Sequence, residues 1–219
     1  MRKSRYLTTI GRSMRKKIRR YSREIDFALE NWSELSFIER ERRTSNVSIG
    51  LLNLWSNFSR AYYISSFCGA KYARGRSVYG PLIVSTEAEA IGFAIIEYNL
   101  KAKPKNDGLW DRRSEPKWHD KNFLMRITSA ADLCLATRVK EAFSAGQKVF
   151  DHLPVFRNYY AHRNQQTLKA VQNLAPLYGF SVQEKPTDVL MEISKGRKYS
   201  VLDGWLNEID ITVEFLCNK

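Results

Sequence analysis

Between residues 46 and 72 the large apolar side chains return every three to four positions: Leu51, Leu54 with Trp55, Phe58, then Ala61 with Tyr62 and Ser65. A stretch that long with that period can bury its stripe only as a helix set into a core. Thr44-Ser45-Asn46 offer side-chain acceptors for the first free amides of such a helix. Tyr62-Tyr63 can be read as a platform for stacking bases, but aromatic pairs at helical spacing are more often packing.

The same period marks most of the chain. Ile25, Phe27, Ala28, Leu29 and Trp32 predict a helix that stops before the charged run Glu39-Arg-Glu-Arg-Arg43. After Pro81, Ser85-Thr86-Glu87 signal the start of a helix through Ala90, Phe93, Ala94, Glu97 and Leu100. Gly92 within it costs about 1 kcal/mol against alanine and implies a close helix contact. Phe123, Ile127, Ala130/Ala131, Cys134/Leu135 and Thr137 to Phe143 predict one amphipathic helix closed near Gly146. Leu202, Trp205/Leu206, Ile209, Val213 and Leu216 predict a last helix that returns to the core. Residues 101–121 break the pattern and read as a lid or an insertion. Beyond Pro176, residues 189–193 and 199–201 flank Lys195-Gly196 and can pair as a short β-hairpin near 188–201. The fold class that follows is all-α, a bundle of five to six helices with room for that one hairpin.

Charge narrows the function. The formal net charge is +13, and residues 1–23 hold ten Lys/Arg and no acid, so the rest of the chain is nearly neutral. This divides the sequence into a basic arm, 1–23, and one domain, 24–219. The arm can neutralise phosphates through Arg15, Lys16, Lys17, Arg19 and Arg20 and so draw RNA to a site. A solvated tail and a targeting peptide are the competing readings. It lacks the apolar face of an interfacial helix, and no run reaches the length of a membrane span. Arg74-Gly75-Arg76 reads as a surface turn able to touch phosphate. Cys68, Cys134 and Cys217 are scattered and odd in number, as in the reduced packing cysteines of a cytoplasmic protein. No spaced Cys/His set, glycine-rich phosphate loop or serine elbow is present, so no metal or cofactor is expected.

One helix carries chemistry. From Pro154, which suits a first helical position, with Asp151 upstream as an acceptor, a run extends to about Ala175. Phe156, Tyr160, Arg163, Thr167, Val171 and Leu174 form its core stripe. Asn158, His162, Gln165 and Lys169 lie opposite, and Arg157 can swing toward Asn158 and His162. An imidazole trades protons near neutral pH, a guanidinium grips phosphate, and a carboxamide orients either. The set suits phosphodiester cleavage by a 2′-hydroxyl. A polar helix face is also often only a solvated one, and that reading stays open. Arg113 to His119 repeats the arginine–histidine spacing, but around Pro116 in a segment without helical period.

Arg157-Asn158-Tyr159-Tyr160-Ala161-His162 resembles the Arg-polar-x3-His signature of the HEPN superfamily. That resemblance implies a small α-helical domain and, in many members, a metal-independent ribonuclease whose protomers face each other as a homodimer. It implies Arg157 and His162 as catalytic and Asn158 as the polar residue beside the arginine. Arg163 is a further RNA contact. The implied products are a 2′,3′-cyclic phosphate and a 5′-hydroxyl, in a toxin or antiviral-defence setting with an antitoxin or other defence protein as partner. Asn164 stands where some relatives carry a modified tyrosine, so that regulation is not implied. A non-catalytic helical module that binds RNA or a protein is the alternative.

Overall fold

Ser36 opens the longest helix. Its hydroxyl accepts the Glu39 N–H at 3.4 Å while the Glu39 carboxylate accepts the Ser36 N–H at 3.1 Å, a reciprocal cap. Helix α2 (Phe37–Phe67) therefore contains the charged run and the Thr44-Ser45 cap candidates that were expected to precede it. Four of the five charges of that run have a local role, and Arg42 is exposed. Glu39 caps, Arg40 lies 4.8 Å over Trp32, Glu41 takes Arg163, and Arg43 lies 4.8 Å over Phe27. A run of this kind looks like a solvated linker until its partners are known.

The computed structural model describes residues 6–72, 75, 77–78, 86–196 and 198–218. Among them the other α-helices are α1 (Leu7–Glu30), α3 (Glu87–Tyr98), α4 (Lys121–Ala130), α5 (Ala136–Ser144), α6 (Val149–His162), α7 (Gln165–Leu174), α8 (Pro186–Met191) and α9 (Val201–Cys217). Short 3-10 turns occupy Arg112–Ser114 and Ala175–Tyr178. The described residues form no strand, only isolated bridges at Tyr6–Lys71 and Lys71–Ser77. The fold is all-α, as the period demands. Among the described residues there are nine α-helices rather than five to six, because two predicted helices are each cut in two and α8 stands in place of the hairpin. Arg74 and Arg76 of the basic turn, and Pro81 and Ser85, lie outside the described residues.

The hairpin expected near 188–201 does not form. Pro186 begins α8 and Val189, Leu190 and Met191 are all buried at successive positions. A short run buried on every side fits a strand or a helix equally from its period, and proline at the first position tips it to helix. Ser200 then accepts the Asp203 N–H at 3.2 Å and caps α9 instead of extending a strand. Residues 7–23 of the basic arm lie in α1, and Leu7, Met14 and Ile18 are buried at helical spacing.

The chain divides into two compact units. The first comprises Met1–Met14, Trp55–Gly146 and Thr212–Lys219. Trp55, Phe58, Tyr62, Tyr63 and Phe67 build its core. Tyr62 and Tyr63 are both fully buried, their hydroxyls donating to the Leu216 and Ala90 carbonyls, so the pair is packing. Thr86 and Glu89 cap α3 with a capping box. A Cβ added to Gly92 would come 2.5 Å from Nε1 of Trp110, so the close neighbour is a loop tryptophan, not a helix. The segment 101–121 is thus packed through Trp110, Glu115 and Trp118, while residues 103–109 are exposed. Trp118 is buried, and Glu115 accepts two bonds from Arg60, at 2.6 and 2.9 Å. Asp132, with φ 47°, breaks the predicted 123–143 helix into α4 and α5. Cys217 is buried and Cys68 half-buried, but Cys134 is exposed and so does not pack as its apolar neighbours suggest.

The second unit comprises Arg15–Leu54 and Gln147–Ile211. Here the later part of α1 and the first part of α2 form a helical hairpin, joined by residues 31–36. They meet closely at Gly50, where an added Cβ would lie 2.1 Å from the Tyr21 hydroxyl. Arg15 pairs in two-pronged fashion with Asp210 of α9, at 2.8 and 2.9 Å.

Candidate functional site

Helix α6 carries the site, and it starts earlier than Pro154 suggests. Val149, Phe150 and Leu153 are buried, and burying three apolar side chains outweighs the interior proline's cost of about 3 kcal/mol. Lys148 provides no side-chain cap. Instead the Glu208 carboxylate, from α9, accepts the Val149 N–H at 2.9 Å and sits where the helix dipole favours an anion. Burial pushes the Glu208 carboxyl up, and the amide bonds only partly offset this.

Phe156 and Tyr160 point inward, as predicted. Phe156 meets Trp205 edge to face at 5.5 Å. The Tyr160 hydroxyl lies 3.1 Å from Thr187, and burial holds it well above the ordinary phenol range. The predicted stripe fails beyond this point. Arg163 turns left-handed (φ 47°), its N–H closing α6 on the Tyr159 carbonyl at 2.7 Å. Asn164 then caps α7 with a box: its side chain accepts the Thr167 N–H at 2.9 Å and Thr167 answers at 3.3 Å. The single helix expected through Ala175 is thus two. Arg163 leaves the core stripe, is exposed, and pairs with Glu41 at 3.3 Å. Gln165 and Lys169 no longer continue the face of Asn158 and His162.

Arg157, Asn158 and His162 remain together on α6. Asn158 and His162 are exposed and Arg157 is half-buried. Nη1 of Arg157 donates to Oδ1 of Asn158 at 3.4 Å, and its Nε is shielded from solvent without a hydrogen-bond partner among the described residues. His162 is the last residue of the helix, and its imidazole makes no hydrogen bond to another described residue. The other histidines are placed differently. Nδ1 of His152 lies 2.6 Å from the Tyr178 hydroxyl, which also accepts from Trp205 at 3.1 Å. His119 lends its carbonyl to the Trp55 indole at 3.2 Å.

Of the basic residues expected on RNA, Lys16, Lys17 and Arg19 are exposed on α1. Arg20 is exposed and lies 3.4 Å from Glu24, whereas Arg15 is committed to Asp210. All belong to the same unit as α6. A groove lined by Arg20, Arg23, Glu24, Phe27 and Arg43 was not foreseen. Its signal was hidden because the run ending at Arg43 reads as a helix end rather than a helix start. Among the described residues no three His, Cys, Asp or Glu side chains gather as ligands for a metal. No described helix is long and apolar enough to cross a membrane. No family model matches the chain, and no curated protein or solved structure is significantly similar to it.

Proposed function

We propose that the protein is a HEPN-like, metal-independent endoribonuclease. One observation carries the reading: the exposed His162, whose imidazole bonds no described residue, shares a helix with Arg157 and Asn158, and the arginine leans on the amide at 3.4 Å. In the reaction the RNA 2′-oxygen attacks the adjacent phosphorus and the 5′-oxygen leaves. His162 moves the proton, Arg157 stabilises the crowded phosphorane, and Asn158 orients the guanidinium. The ends formed are a 2′,3′-cyclic phosphate and a 5′-hydroxyl. Lys16, Lys17, Arg19 and Arg20 add the long-range attraction for RNA.

Arg157 and His162 are separated by about 7.5 Å along the helix axis and some 140° around it. A single helix grips one phosphate poorly in that arrangement. Two copies about a twofold axis would bring both pairs to one cleft, one histidine as base and the other as acid. The working form in this reading is a homodimer, in a toxin or defence setting where a protein inhibitor holds it in check. A second reading, a non-catalytic helical module that binds RNA or protein, is favoured by the half-buried setting of Arg157.

Cleavage of total RNA in excess chelator separates the two. His162→Ala and Arg157→Ala should each slow cutting by about 10²–10⁴-fold with unchanged helix content, while His119→Ala changes little. Wild-type rates from His162→Ala would sink the assignment. Heterodimers of wild type with the double variant should cut far below half rate, and half rate would refute a composite site.

A further inference from the structure

In the second unit, the helical hairpin of α1 and α2 carries a groove of about 360 Å³ lined by Arg20, Arg23, Glu24, Phe27 and Arg43. That lies within the range of small-ligand sites, about 300–1,000 Å³. Phe27 is 47% exposed, and the Arg43 guanidinium stands 4.8 Å over its ring. The lining is three arginines against one carboxylate, and that carboxylate already faces Arg20 at 3.4 Å.

The arginine three residues earlier makes the difference clear. Arg40 is also stacked, over Trp32 at 4.8 Å, and its Nε donates to the Leu35 carbonyl at 3.1 Å. Arg43 is stacked in the same way, yet its Nε is shielded from solvent and has no acceptor among the described residues. A desolvated donor without an acceptor is a standing cost. An anion in the groove, met by a small turn of the guanidinium, would remove it. An exposed aromatic ring flanked by arginines is also what holds single strands: the ring stacks a base while the cations track the backbone.

We infer that this groove binds one nucleotide of a single-stranded nucleic acid, its base on Phe27 and its phosphate between Arg23 and Arg43. The site lies on α1 and α2, shares no lining residue with the α6 set, and holds whether or not the chain cuts RNA.

The test uses a fluorescently labelled 2′-O-methyl oligouridine decamer, which has no 2′-hydroxyl to attack, so binding is read separately from cleavage. Phe27→Leu should weaken binding about tenfold. Arg43→Gln should weaken it and lower the log–log salt slope by about 0.7. Tyr199→Leu is the control, because Tyr199 is also exposed and also has a cation, Lys198, 5.3 Å from its ring centre; it should bind as wild type. Unaltered affinity in Phe27→Leu would overturn the proposal, as would equal losses in Tyr199→Leu. Displacement of the decamer by inorganic phosphate as readily as by uridine monophosphate would reduce the groove to a bare anion contact and overturn it too. Should a variant fail to fold, photocrosslinking of an iodouridine decamer to the wild-type protein decides. Crosslinks at Phe27 support the site, and crosslinks only elsewhere refute it.

Discussion

Replacing Glu115 by glutamine tests the packing that fixes the 101–121 segment. The carboxylate accepts Arg60 Nε at 2.6 Å and Nη2 at 2.9 Å, and the Trp118 indole at 2.8 Å. Its side chain is 10% exposed and that of Arg60 33%. Glutamine keeps the shape and one acceptor, but loses the charge and one arginine bond. Charge-assisted bonds contribute about 1.5–3 kcal/mol each, and leaving a buried guanidinium underpaired adds to the loss, so Glu115→Gln should cost about 2–4 kcal/mol. Acid should erase that difference. Burial alone would raise the Glu115 carboxyl, but the Arg60 and Trp118 bonds and the arginine charge outweigh it and hold it below its usual range. A depressed carboxyl adds stability above its unfolded pKa and loses it as pH falls through the folded one. Asp203 and Glu208 act in the opposite sense, since burial raises both, but they cancel when variant and wild type are compared at each pH. Urea titrations followed by tryptophan fluorescence, from pH 7 down toward pH 3, give the comparison. A cost under about 0.5 kcal/mol at pH 7, where exposed pairs lie, or one that persists undiminished in acid, would refute the reasoning.

Two further changes probe local geometry. Gly92→Ala gains about 1 kcal/mol of helix propensity but must displace an indole from a 2.5 Å approach, typically a cost of about 1–3 kcal/mol. Its melting temperature should fall, and an unchanged one would show that Trp110 yields freely. Asn164→Ala removes the cap of α7 and should cost about 1 kcal/mol in chemical denaturation. A neutral result would mean that the break after His162 is held by Arg163 and its Glu41 contact alone.

The apolar period made the helices legible wherever a buried face repeats without interruption, as in α3, α9 and the second half of α2. It failed where a chain reversal is made by one residue. Asp132 and Arg163 both adopt positive φ, and neither is the glycine that would have announced the turn. The Asn164-x-x-Thr167 box was readable as a helix start, but the period ran across it and masked the signal. The 188–201 region misled because successive buried residues carry no period at all. His162, Asn158 and Arg157 were legible because four- and five-residue spacings survive inside one intact helix. Phe27 and Arg43 were not, since their meeting depends on how residues 31–36 fold one helix back on the other. Arg15 looked like any other cation of its cluster until Asp210, nearly two hundred residues away, was seen beside it.

Both units are discontinuous along the chain: the first is assembled from three segments and the second from two. On the ribosome this sets an order of events. The aromatic cluster from Trp55 to Phe67 emerges early, while Leu216, whose carbonyl accepts the Tyr62 hydroxyl, follows about 150 residues later. At translation speeds of about 5–20 residues per second the wait is roughly 10–30 s, far longer than hydrophobic collapse takes. Through that interval the nascent chain presents sticky surface that a holding chaperone would have to shelter. Both units are completed only within α9, the second at Ile211 and the first beyond it. A product cut short before residue 212 would lack the strip that completes the first core, and would be a substrate for quality control rather than a smaller working protein.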